Sequence, residues 1–108
     1  MTEITLFWEE GALCGIEGRG HSGFADRGND IVCAAVSSLL QALVLGLSDV
    51  AKKGSFECEV EPETPLIRAR WPRERAEELS LLTVTIARSL REIQSGNPGY
   101  VNITEVRL

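Results

Sequence analysis

The sequence has a single histidine, His21, and twelve residues after it a cysteine, Cys33, in the stretch Gly20-His21-Ser22-Gly23 through Gly28-Asn29-Asp30-Ile31-Val32-Cys33. A thiolate rather than a thiol attacks a carbonyl, and an ordinary cysteine, with a pKa of ~8.5, is mostly protonated at neutral pH. A helix N-terminus and a neighbouring imidazolium both favour the thiolate. The spacing offers both. Asn29 and Asp30 are good N-cap residues, so Cys33 is expected as the third residue of a helix, with its sulfur at the positive helix end. His21 is expected where a strand gives way to a glycine-containing loop. Such an imidazole would hold the thiol proton during attack on a carbonyl and return it to a departing amine. Unpaired backbone N–H groups at the same helix end are candidates to hold the oxyanion.

Two further residues have two readings each. Asp30 is a plain helix cap or a group that orients His21, and the roles can coexist. Ser37, one helical turn after Cys33, can bond near the thiol or back to its own helix. Cys33 itself, among Ile31, Val32, Ala34, Ala35 and Val36, also reads as a small core residue. Cys14 and Cys58 fall at inward-facing strand positions and read as core. No pair among Cys14, His21, Cys33 and Cys58 has the close spacing of a structural zinc site, so neither metal nor cofactor is expected. No phosphate-loop glycine pattern occurs.

The elements that must position the dyad follow from periodicity. Ile4 to Trp8 has strand composition, Glu9-Glu10-Gly11 offers a turn, and Ala12 to Gly18 alternates again, which makes a hairpin. Gly18, Gly20, Gly23 and Gly28 mark residues 18–29 as a loop. A helix then runs to Lys53, capped by Gly54. A second hairpin alternates Phe56, Cys58 and Val60 with Glu57, Glu59 and Glu61, turns over Pro62 to Pro65, and returns through Ile67, Ala69 and Trp71. A second helix starts near Pro72, carries Leu79, Leu82, Ile86, Leu90 and Ile93 at helical spacing, and stops at Gly96-Asn97-Pro98. Tyr100 to Leu108 is a last strand. The order strand, strand, helix, strand, strand, helix, strand predicts an α+β fold, a single mainly antiparallel sheet with two helices packed on one face.

At 108 residues the chain is sized for one domain spanning 1–108. Acids outnumber bases 16 to 11, for a net charge of −5, which argues against nucleic acid and suits a basic peptide. Three cysteines and an opening Met-Thr-Glu without a signal-like stretch point to the cytoplasm. Ile31 to Ser48 is eighteen residues without a charge, close to the length of a membrane span. Its serines, Gln41 and the closing Asp49-Val50-Ala51-Lys52-Lys53 fit a buried helix better. A helix apolar on nearly all sides needs cover on nearly all sides, so a homodimer is expected rather than a membrane.

Gly20-His21, six intervening residues, and Gly28-Asn29-Asp30-Ile31-Val32-Cys33-Ala34-Ala35-Val36-Ser37 resemble the signature of the ribosomal-processing cysteine protease (Prp) family, with Ser22 in place of the Ala expected after the histidine. The resemblance extends over the domain length and strand-helix order. It implies a His21–Cys33 catalytic dyad in a homodimeric enzyme. That enzyme would remove a short N-terminal extension from large-subunit ribosomal protein number twenty-seven. It further implies a gating loop between the dyad residues, here containing Ser22, Gly23 and Gly28. Against this stand two other readings of the residues, a non-catalytic dimeric ribosome-assembly or interaction module and a thiol redox sensor.

Overall fold

The structure, a computed structural model, describes residues 1–20, 27–51, 57–61 and 66–108, with the backbone alone over 27–30, 50–51 and 57–61. Strands β1 (Thr2–Glu9) and β2 (Ala12–Arg19) form the first hairpin. Both residues of its two-residue turn have positive φ, 49° at Glu10 and 77° at Gly11. That backbone matches the right-handed twist of the flanking strands, and Gly11 takes it without strain. Helix α1 (Arg27–Leu45) follows, continued by a π-helical segment, Gly46–Ala51. Strands β3 (Glu57–Glu61) and β4 (Leu66–Arg70) come next, then a 3₁₀ turn (Arg73–Arg75), helix α2 (Ser80–Gly96) and strand β5 (Val101–Arg107).

The five strands make one sheet in the order β3-β4-β2-β1-β5. The pairs β1–β2, β2–β4 and β3–β4 are antiparallel, and β1–β5 is parallel. The expected α+β class and mainly antiparallel sheet hold, with one parallel pair added. A parallel neighbour requires a crossover, and α2 supplies it. One sheet face carries Ile4, Leu6, Ile16, Ala69 and Val101 into a core shared with Val32, Val36, Leu40, Leu43 and Leu47 of α1 and Ile86, Ala87 and Leu90 of α2. The other face is charged. Glu17 bonds Arg68 at 2.9 Å and lies 3.5 Å from Arg19, and the Arg70 guanidinium sits 5.2 Å over the Phe7 ring.

The inward row of α1 recurs every three or four residues, as helix–sheet packing demands. The helix lies close to the sheet: a Cβ on Gly18 would collide with the Cδ1 of Leu40, so glycine is needed at this position of β2. A Cβ on Gly46 would lie 2.6 Å from Leu82 of α2, the point where the π segment begins. The outward row is exposed although uncharged, with Ile31 at 65% and Leu45 at 56%, and Leu81 and Val84 of α2 are exposed as well. By length and composition Ile31–Asp49 could cross a membrane, with a mean hydropathy of 2.1. Its buried row is the one that packs on the sheet.

Two element boundaries differ from expectation. Helix α1 begins at Arg27, so Gly28 lies in its first turn instead of the loop, and Asp30 is the fourth helical residue and not the cap. The first four N–H groups of a helix lack intrahelical partners wherever it starts, so cap signals locate the end only to within a turn. Helix α2 begins at Ser80 rather than near Pro72. There Arg75 and Ala76 donate to Pro72 and Arg73, an i→i+3 pattern that tightens the chain before the α-helix is established. Lys52, Lys53, Gly54, Phe56 and the Pro62–Pro65 turn lie outside the described residues.

Candidate functional site

The start of β1, the end of β2 and the start of β5 share one end of the sheet, since Glu3 pairs with Arg19 and Thr2 with Val101. Helix α1 crosses above that end and brings Cys33 to it. The Cys33 sulfur is 3.7 Å from where a Cβ on Gly20 would stand. Gly20 is the residue at which the chain leaves the sheet, and His21 is next to it in sequence. On its other side the sulfur is 3.0 Å from the Thr2 hydroxyl. Cys33 is half-buried, so its sulfur is packed on the sheet end without being sealed from solvent.

The sequence-predicted residues divide accordingly. Cys33 and Ser37 are described, both half-buried and four residues apart, which places them on one helix face. Among the described residues the hydrogen-bond partner of the sulfur is Thr2 and not Ser37. His21, Ser22 and Gly23 lie outside the described residues, and only the backbone is described for Gly28, Asn29 and Asp30. Because α1 starts at Arg27, Cys33 is its seventh residue rather than its third. Its own N–H therefore faces the carbonyl of Asn29 in the i→i−4 ladder. The unpaired N–H groups lie in the preceding turn, and the favourable helix-end field weakens beyond that first turn. The helix end thus contributes less at the sulfur than the expected cap position implied, and Cys33's own N–H is not an oxyanion donor.

The other cysteines occupy structural positions. Cys14 is 2% exposed, a free thiol inside the core. Burial pushes this thiol up, with the Glu9 carboxylate adding to the shift and Arg73 and Arg70 opposing it in part. A thiol held protonated is a poor nucleophile. Cys58 stands opposite Ala69 in the β3–β4 ladder. Among the described residues no group of three or more His, Cys, Asp or Glu gathers at one point.

Thr2 is the residue that sequence reasoning missed. The available signal was faint: Thr2, Ile4 and Leu6 form one inward row of β1, and a hydroxyl at its end is a polar group in an otherwise apolar set.

The fold recurs in solved proteins. SMU.848 from Streptococcus mutans superposes with a TM-score of 0.81 at 25% identity, covering 100% of this chain and 99% of that one. The essential ribosomal processing protease Prp from S. aureus, solved with a substrate peptide, superposes with a TM-score of 0.84 at 18% identity over 97% and 99% of the two chains. The same protease with a covalently linked product peptide gives 0.81 at 19% identity over the same shares. No protein of curated function matches. The sequence profile described as cysteine protease Prp matches residues 1–102. With its thiol at the sheet end and that profile spanning all but the last six residues, the chain belongs to the cysteine protease Prp family.

Proposed function

We propose that this cysteine protease uses a Cys33–His21 dyad to remove a short N-terminal extension from large-subunit ribosomal protein number twenty-seven in the cytoplasm. The observation that carries the dyad is the position of the Cys33 sulfur, 3.7 Å from where a Cβ on Gly20 would stand, next to the residue that precedes His21 in sequence. His21 follows Gly20 by one Cα–Cα step, ~3.8 Å, which supports reading its imidazole as the base for this thiol. The substrate rests on kinship with the ribosomal processing protease Prp of S. aureus, and on the acidic balance of the chain, which suits a basic ribosomal segment.

The chemistry then runs in two halves. The His21 imidazole accepts the Cys33 thiol proton as the sulfur attacks the scissile carbonyl carbon. The resulting tetrahedral species collapses with cleavage of the C–N bond, and the imidazolium gives its proton to the departing amine. Water, deprotonated by His21, hydrolyses the thioester and restores the thiol while releasing the new C-terminal carboxylate. In this reading Ser37, one turn from Cys33 on the same helix face, assists the thiol, and Asp30 orients His21.

The test of the substrate is incubation with the host's ribosomal protein, reading intact masses. Release of one discrete N-terminal peptide is expected. An untouched ribosomal protein, in the presence of an alkylatable Cys33, would leave the protease without this substrate.

The same reading takes the enzyme to be a homodimer. The outward row Ile31, Ala34, Ala42 and Leu45 of α1, with Leu81 and Val84 of α2 exposed beside it in the helical layer, is an uncharged surface that a second copy would cover. Sedimentation should show a dimer for the wild type and a monomer for Leu45→Glu. A wild-type monomer, or a dimer indifferent to this charge, would place the contact elsewhere or remove it.

A further inference from the structure

The hydroxyl of Thr2 has no packing task that valine, of nearly the same shape, would not perform. Thr2 is 2% exposed, one of two buried polar side chains among the described residues. A buried hydroxyl costs stability unless it is bonded, and this one stands 3.0 Å from the Cys33 sulfur. Its position is fixed from both sides. The Thr2 N–H donates to the Tyr100 carbonyl at 2.9 Å, Thr2 pairs with Val101 on β5, and the next residue, Glu3, pairs with Arg19 on β2. A β-branched side chain on so constrained a backbone has little freedom about χ1.

We propose that Thr2 is the fixed hydrogen-bond donor to the Cys33 thiolate, which it both orients and stabilises. With a neutral thiol either atom can donate. Once the proton has left for the base, the sulfur can only accept, so the hydroxyl hydrogen must turn to it. Hydrogen bonds to an ionised acceptor are stronger than neutral ones, so the contact favours the thiolate over the thiol. The parallel strand β5 acquires a role by the same reasoning, since it anchors the backbone from which the hydroxyl projects. This inference rests on Cys33 being the nucleophile.

The experiment follows Cys33 alkylation by iodoacetamide between about pH 5 and pH 9, read by mass, in wild type, Thr2→Val and Thr2→Ser, alongside peptide cleavage by each and by Cys33→Ala. Thr2→Val should move the midpoint of the alkylation profile to higher pH and slow the reaction near pH 6 by about 10-fold or more. Thr2→Ser, which keeps the hydroxyl, should stay within about threefold of wild type by the same argument. An unchanged profile in folded Thr2→Val overturns the proposal, as does Thr2→Ser reacting as slowly as Thr2→Val, since the hydroxyl alone would then not preserve the reactivity. If Thr2→Val does not fold, Thr2→Ala against Thr2→Ser makes the same comparison. Full cleavage by Cys33→Ala would instead sink the nucleophile assignment itself, a separate readout from the Thr2 profiles.

Discussion

Cys33→Ala should lower kcat/KM for a cleavable peptide by about 10⁴-fold or more, with the protein still folded. Without the sulfur no thioester forms, and only substrate binding and any oxyanion donors remain to assist attack by water. His21→Ala should cost a similar factor, and the double variant little more, because the two groups act in one step and their losses do not add. The structural cost of Cys33→Ala is small by comparison. Cys33 is half-buried, and its removal strands one partner, the Thr2 hydroxyl, a penalty of about 1–3 kcal/mol. Cys33→Ser separates chemistry from contact further, since it keeps an atom for Thr2 to bond but replaces a readily ionised thiol with a hydroxyl. Steady-state kinetics on a peptide spanning the cleavage point, with thermal melts of each variant, would read both effects. Activity of Cys33→Ala within tenfold of wild type would mean that another group attacks.

How far the sequence alone leads depends on the range of the interaction that decides each feature. Local periodicity and turn signals were reliable, whereas helix starts were not. The alternation of Ile4 and Leu6, the turn at Glu10-Gly11 and the helical spacing of Leu79, Ile86 and Leu90 all reappear as buried rows or positive-φ turn residues. Features set by distant partners were not legible. The parallel pairing of β5 with β1 depends on where α2 docks, which no pattern within Tyr100 to Leu108 encodes. The π segment starts where Gly46 meets Leu82, a contact between two helices. Helix α1 starts at Arg27, within a turn of Asn29 and Asp30, because cap residues locate a helix end only that closely. At the site, the spacing of His21 and Cys33 pointed to a dyad because the chemistry needs those two residue types. Thr2 escaped notice because it is 31 residues from its partner and resembles any β-branched strand residue.

Trp71→Ala should be the most damaging substitution to stability, at about 3–5 kcal/mol, with a fall in melting temperature of roughly 10 °C or more. Trp71 is 4% exposed and follows the last residue of β4. Its ring N–H donates to the Leu13 carbonyl at 2.8 Å and its backbone N–H to the Cys14 carbonyl at 3.0 Å. At this point the β1–β2 register shifts, with Phe7 opposite Gly15 but Trp8 opposite Leu13, so Cys14 is the extra residue of a bulge. A bulge interrupts the ladder and leaves backbone groups to be bonded elsewhere, and Trp71 supplies two of the donors. Trp71→Phe keeps most of the ring volume but removes the indole N–H, so it should cost about 1–3 kcal/mol, the penalty for a stranded buried carbonyl. If Trp71→Phe instead behaves like a surface change, within about 0.5 kcal/mol, the indole bond is not what holds the bulge. Neither variant should alter the thiol. Thr2 and Trp8 are six strand residues apart, ~20 Å at the usual rise, so the bulge lies at the opposite end of the sheet from Cys33. Below the lowered melting temperature, the alkylation rate of Cys33 in Trp71→Phe should therefore match wild type, whereas Thr2→Val should slow it with little loss of stability.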